Sequence, residues 1–122
     1  MKDFRNLKVW GKSHLLTLDI YKHTASFPKD ERFGLVSQLR RSAASVPSNI
    51  AEGCGRRGNG EFHRFLQIAT GSANELEYQL LLSKDLSYLP EAAYQDLNGK
   101  IVEVQKMLAG LIAKVDSERF KT

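Results

Sequence analysis

The sequence is poor in several things, and each shortage removes a class of protein. Cys54 is the only cysteine among 122 residues. No internal disulfide can form, so a packed core must hold the fold, and a reducing cytoplasm suits the chain. The only prolines are Pro28, Pro47 and Pro90. Apolar–polar alternation is scarce as well, which argues against an all-β chain. No apolar run approaches the roughly 18 residues that mark a membrane span. The opening residues Met1 to Leu7 lack the apolar centre of a signal peptide. Acidic residues are outnumbered: 14 Asp and Glu stand against 18 Lys and Arg, a net +4.

What is present is helical periodicity. Residues 7–27 carry Val9, Leu16 and Ile20 on one face, and Leu15 and Leu18 widen that stripe beyond what one neighbour would bury. From Arg32 onward, Val36, Leu39, Ala43, Val46 and Ile50 recur at steps of three and four. That predicts a helix over 30–53, capped by Asp30 and kinked at Pro47, whose ring removes one backbone bond. Gly53 and Gly55 sit where a left-handed C-cap is wanted. A third helix over 60–87, with Asn59 as N-cap, has its stripe at Phe62, Phe65, Leu66, Ala69, Ala73, Leu76 and Leu80. Its small Gly71, Ser72 and Ala73 would admit a close neighbour. Leu80-Leu81-Leu82 implies burial on more than one side. Pro90 and Glu91 open a fourth helix over 91–117, with Tyr94, Leu97, Ile101, Val104, Leu108, Leu111 and Val115 in heptad spacing. Asp116 to Thr122 reads as a polar tail. Short connections between four helices predict one all-α domain over residues 1–122, an antiparallel up-down-up-down four-helix bundle.

The charge is uneven. Residues 1–64 hold 12 of the Lys and Arg and 6 of the Asp and Glu, a net +6, whereas the remainder is −2. A basic half of this kind is an electrostatic footprint for nucleic acid. The candidate phosphate contacts are Lys8, Lys12, Arg40, Arg41, Arg56, Arg57 and Arg64, gathered on one end or edge. The competing reading pairs Arg40 or Arg41 with Glu52, Glu75 or Glu77 inside or between subunits. Asn49, Glu52, Glu75 and Glu77 are expected to be structural polar residues, Asn49 and Glu52 around the Pro47 break. Trp10 is expected to be a packing anchor, and Phe62 and Phe65 to lie in the core rather than to stack on bases.

Catalytic constellations are hard to find. Gly53-Cys54-Gly55-Arg56-Arg57-Gly58 spells G-x-G-x-x-G, but a helix precedes it where that motif needs a strand. A di-iron bundle needs Glu-x-x-His pairs. Here Gly55 follows Glu52 at that spacing and Arg64 follows Glu61, and His14, His23 and His63 make no ligand pattern. Arg56 and Arg57 could lower the thiol pKa of Cys54, yet no base partner is evident. Glu75 and Glu77, two apart on a helix, are no acid–base pair. We therefore expect no metal, no cofactor and no enzyme.

Several segments together resemble one family. They are Leu7-Lys8-Val9-Trp10, Phe33-Gly34-Leu35 with Gln38-Leu39-Arg40-Arg41, and Val46 to Gly53. Glu61-Phe62 with Arg64-Phe65-Leu66, and Gly71-Ser72 with Asn74-Glu75-Leu76-Glu77, complete the set. The chain resembles the four-helix-bundle proteins encoded in intervening sequences of bacterial 23S ribosomal RNA genes. The resemblance implies a homopentameric ring and no catalytic residues. It also suggests kinship with accessory proteins of diversity-generating retroelements, which bind nucleic acid and a reverse transcriptase. Where family members often carry a polar or basic pair after the hinge arginines, this chain has Gly58-Asn59-Gly60. The expected function is that of a non-enzymatic, oligomeric, cytoplasmic accessory protein that binds RNA or DNA. The alternative is a structural or protein-interaction module whose polar residues only build the bundle and its ring.

Overall fold

Helical periodicity of 3.6 residues per turn places the apolar stripes on one side of each segment, and burial of those stripes decides the architecture. The computed structural model describes residues 2–119. Among them every regular element is helical: α1 (Lys8–Thr24), α2 (Leu35–Cys54), α3 (Asn59–Asp85) and α4 (Glu91–Arg119), with short 3-10 turns at Phe4–Asn6 and Lys29–Glu31. α1 packs on α2 and α4, and α3 packs on the same two helices. The four therefore enclose one core, with α1 and α3 on opposite sides of it. Every residue of the α2 and α3 stripes is buried, as are Leu97, Ile101, Val104, Leu108 and Val115 of α4. Each buried Val, Leu, Ile or Phe among them contributes about 1.5–3 kcal/mol on removal from water.

The element ends depart from expectation in ways that bear on the surface. α1 stops at Thr24, three residues early. The Thr24 hydroxyl donates to the Ile20 carbonyl at 2.7 Å, and Phe27 turns inward to pack on Tyr88. α2 begins at Leu35, not near residue 30. Its first turn is capped by Glu31 rather than Asp30: the Leu35 amide donates to Glu31 Oε1 at 3.2 Å, while the Tyr88 hydroxyl donates to Glu31 Oε2 at 2.9 Å. That bond to a carboxylate raises the Tyr88 pKa. Gly53 lies inside α2, and Gly55 has φ −82°, so no left-handed cap ends this helix. The left-handed residues are Gly58 (φ 81°), which takes the N-cap position expected of Asn59, and Ser87 (φ 65°). Ser87 closes α3, where the Tyr88 amide reaches back to the Ser83 carbonyl at 3.0 Å. That is the double-bonded end in which a left-handed residue satisfies the last carbonyls. α4 runs on to Arg119, so residues 116–119 of the expected tail are helical; residues 120–122 lie outside the described part.

Leu81 is exposed beside buried Leu80, because consecutive helical residues point about 100° apart and this core receives only one of them; a second buried side would need a contact from outside this chain. Of the three small residues, Ala73 is fully buried and Ser72 meets Ser45 of α2 at 2.8 Å, whereas Gly71 faces open space.

α2 continues through Pro47 without interruption. Proline has no amide hydrogen for the carbonyl four residues back, that of Ala43. The Thr17 hydroxyl of α1 fills that role, 3.0 Å from the Ala43 oxygen and 2.8 Å from that of Ser13. Asn49 acts beside this break and not on the Ala43 carbonyl: its Nδ2 donates to the Ser45 carbonyl at 2.8 Å and lies 3.0 Å from Ser45 Oγ. Thr17→Val is therefore expected to destabilise the protein by about 2 kcal/mol, since a buried carbonyl would lose its donor. In a Pro47→Ala background the restored amide can serve Ala43, and the Thr17→Val effect should shrink. Equal effects in both backgrounds, measured by urea unfolding, would show that Thr17 does not act through that carbonyl.

Candidate nucleic-acid interface

α2 separates the candidate cations into two groups. Arg40 precedes the helix end at Cys54 by 14 residues, about 20 Å along the axis at 1.5 Å per residue. The seven residues therefore do not all share one end of the bundle.

At the α2–α3 turn the two helices approach closely. A side chain on Gly53 would have its Cβ 2.9 Å from the Cβ of Phe65 and 3.0 Å from the Phe62 ring. This approach buries Phe62 and Phe65 and leaves arginines over the Phe65 ring: Arg56 lies 5.0 Å from its centroid and Arg64 5.9 Å. The Lys2 amide donates to the Cys54 carbonyl at 3.1 Å, which brings the start of the chain and Lys8 to the same end. Arg56 is neutralised there by Glu52 at 2.8 Å. Arg57, Arg64 and Lys8 have no carboxylate partner among the described residues and are exposed. His63 meets Asp116 of α4 at 2.9 Å. At Cys54 burial, not the neighbouring arginines, dominates and raises the thiol pKa; Lys2 opposes that rise and Asp3 adds to it, which fits the expected spare cysteine.

The other candidates lie further along the helices. Lys12 is within 3.4 Å of Glu103 on α4. Arg41 donates to Glu75 on α3 at 2.7 Å. Glu75 in turn accepts from Gln79, whose amide oxygen receives the Ser42 hydroxyl at 2.6 Å. Glu77 accepts from Gln105 at 3.0 Å. Arg40 behaves differently. Its Nε donates to Thr24 Oγ1 at 3.0 Å and its terminal nitrogen to the Tyr21 carbonyl at 3.2 Å, and its guanidinium lies 4.6 Å from the Tyr21 ring centroid. No carboxylate meets it among the described residues, so its charge is held in place without being cancelled there.

Residues not anticipated as a site complete this second group. Arg32 has no ion-pair partner among the described residues, and Phe33 is 88% exposed. The signal for Phe33 was present three residues before Val36, in register with the α2 stripe. Only the break at Gly34 (φ −108°, ψ −110°) takes it out of that stripe. Trp10, by contrast, is half-buried, stacked on His14 at 5.0 Å and against Phe4 at 4.9 Å.

Among the described residues no three His, Cys, Asp or Glu come together to hold a metal ion. No helix there is long and apolar enough to cross a membrane. The profile of the 23S rRNA-intervening sequence protein family matches residues 5–110. A crystal structure of a protein of unknown function from the S23 ribosomal protein family of Bacteroides thetaiotaomicron superposes with a TM-score of 0.79 at 28% identity, covering 86% of this chain and 95% of that one. No curated protein matches the chain.

Proposed function

The chain belongs to the 23S rRNA-intervening sequence protein family, and on that premise we propose that it is a non-enzymatic, ring-forming accessory protein that binds RNA or DNA phosphates in the cytoplasm. The observation that carries this reading is the set of uncancelled cations. Lys8, Arg57 and Arg64 at one end, and Arg32 and Arg40 at the other, meet no carboxylate among the described residues, although the chain has enough acids to pair with Lys12, Arg41 and Arg56. Guanidinium groups left in this state suit phosphate oxygens. The buried, protonated Cys54 suits no nucleophile.

The scaffold in this proposal is an antiparallel bundle. The order of cross-helix pairs supports it: Thr17 and Tyr21 meet Ala43 and Arg40, Arg41 and Ser45 meet Glu75 and Ser72, and Lys12 and Asp19 meet Glu103 and Lys100. In each pair of helices one number rises as the other falls. Ring assembly draws support from apolar side chains on opposite sides of the bundle. Leu15 and Leu18 of α1 are 60% and 45% exposed, and Ile68, Tyr78 and Leu81 of α3 are exposed too. Unlike apolar surfaces on opposite faces suit head-to-tail contacts, which close into a ring when the rotation between copies closes. A ring repeats each basic group and multiplies a modest affinity.

Fluorescence anisotropy of a structured RNA and a duplex DNA tests the proposal. Binding should weaken by on the order of a thousandfold between about 50 and 200 mM salt if about six phosphates are neutralised. Arg57→Ala with Arg64→Ala should weaken binding and leave sedimentation unchanged. No binding at low salt by folded, assembled protein would overturn the reading. The intrachain pairing of Lys12, Arg41 and Arg56 favours a second reading, a pure assembly module. Loss of the ring in Arg41→Ala, with no nucleic-acid binding by the parent protein, would establish it.

A further inference from the structure

The connection from α1 to α2 carries an arrangement that phosphate binding alone does not use. Tyr21 of α1, Arg32 and Phe33 of the connection, and Val36, Ser37 and Arg40 of α2 surround a shallow depression of about 410 Å³, which Arg41 closes on the α3 side. Three guanidinium groups and no carboxylate line it. Arg41 is committed to Glu75. Arg40 uses its bonds to Thr24 and Tyr21 to fix its position, which leaves three of its five N–H hydrogens without a partner. Arg32 lies 5.4 Å from the centroid of the Phe33 ring. That ring presents a flat apolar face to solvent, and a large side chain this exposed contributes nothing to the core.

We propose that this depression is a site for single-stranded nucleic acid, in which one unpaired base stacks on Phe33 while Arg32 and Arg40 take the flanking phosphates. The inference rests on the nucleic-acid reading above and adds to it the strandedness of the ligand. Two features select this occupant. The lining is cationic without any acid, so the occupant must bring negative charge. The exposed ring asks for a flat partner, which a base in a duplex cannot offer because both its faces are already stacked. Aromatic platforms beside cations are how single strands are held without sequence preference. The firm seat of Arg40 matters because a guanidinium already fixed in place loses little side-chain freedom on binding.

The test titrates the protein into four labelled probes at one salt concentration: a single-stranded RNA, the matching single-stranded DNA, a duplex, and an abasic oligonucleotide of equal length. The abasic probe keeps the phosphates and removes the bases. The parent protein should prefer the single strand over the abasic probe by roughly tenfold, the effect of one stacking platform. Phe33→Ala and Phe33→Leu should abolish that preference and keep the abasic affinity, and Phe33→Trp should keep the preference and show tryptophan quenching on binding. RNA and DNA single strands binding alike would place recognition in base and phosphate; an RNA advantage would add the 2′-hydroxyl to the same site. If the parent protein binds single-stranded and abasic probes equally, the stacking site is overturned while phosphate binding stands. If it binds no probe, both readings fail. If Phe33→Ala changes the sedimentation of the unliganded protein, Phe33 belongs to a contact between copies and the site is overturned.

Discussion

Gln79→Glu is expected to destabilise the protein by about 4 kcal/mol at neutral pH and by much less in mild acid. Gln79 is buried between α2 and α3. Its amide oxygen accepts from Ser42 at 2.6 Å, and its amide nitrogen donates to Glu75 at 3.4 Å. A carboxylate of the same shape keeps the first bond and reverses the second, because it faces the Glu75 carboxylate with no hydrogen to offer. Burial and a like charge both favour the protonated form, so the new group's pKa in the folded state should exceed its unfolded value of about 4.3. The sign follows from proton uptake. The folded state holds the proton more tightly, so the variant approaches parent stability below the unfolded pKa and loses it as pH rises through the folded one. At roughly 4 °C per kcal/mol for a chain of this size, the melting temperature at pH 7 should fall by about 15 °C. Urea titrations at pH 7 and about pH 4.5 check the result. Equal losses at both would mean that Arg41, already 2.7 Å from Glu75, neutralises the added charge.

Gly53→Val is expected to cost about 3 kcal/mol, and the comparison with Gly53→Ala isolates the reason. Gly53 lies within a helix, where alanine alone would gain about 1 kcal/mol of propensity. Its Cβ, however, would meet the Cβ of Phe65 at 2.9 Å, an atom attached directly to the α3 backbone. No rotamer change removes that clash, so α2 and α3 must separate at their tightest point, at an overpacking cost of about 1–3 kcal/mol. Alanine should therefore be mildly destabilising, and valine, with two further methyl groups against the Phe62 ring, much more so. Chemical unfolding of both variants decides it. A stabilised Gly53→Ala would show that propensity outweighs contact there and that the helices are not held this close.

The stripes of α2, α3 and α4 could be read residue by residue because helical burial repeats every three or four positions whatever the partner is. Leu39, Ile50, Leu66, Leu76, Ile101 and Leu108 all lie in the core for that reason. The ends were read less well. Asp30 and Asn59 have suitable side chains for capping, but Glu31 makes the bond at α2, and at α3 Gly58, with no side chain to offer, takes the cap position, since a cap depends on where the chain enters the helix and not only on residue type. The glycines near the end of α2 looked like a left-handed stop. Gly53 is instead a point of close helix approach, and the left-handed closure falls on Ser87.

The candidate interface divided along the same line. From the sequence alone came an all-α chain, a basic first half and a set of arginines, because composition and periodicity are properties of the chain itself. Which charges stay available was decided only by the tertiary structure. Lys12 and Arg41 meet acids brought to them by α4 and α3, while Arg40 is steadied by Thr24 and Tyr21 and meets none among the described residues; Arg56 is the exception, because its partner Glu52 stands four residues back in the sequence. Phe33 shows the same dependence most sharply. Its spacing from Val36 would bury it in a helix that began at residue 30, and the delayed start of α2 at Leu35 leaves it in solvent. Sequence spacing assigns a residue to a face only while the helix lasts, and tertiary packing sets where the helix begins.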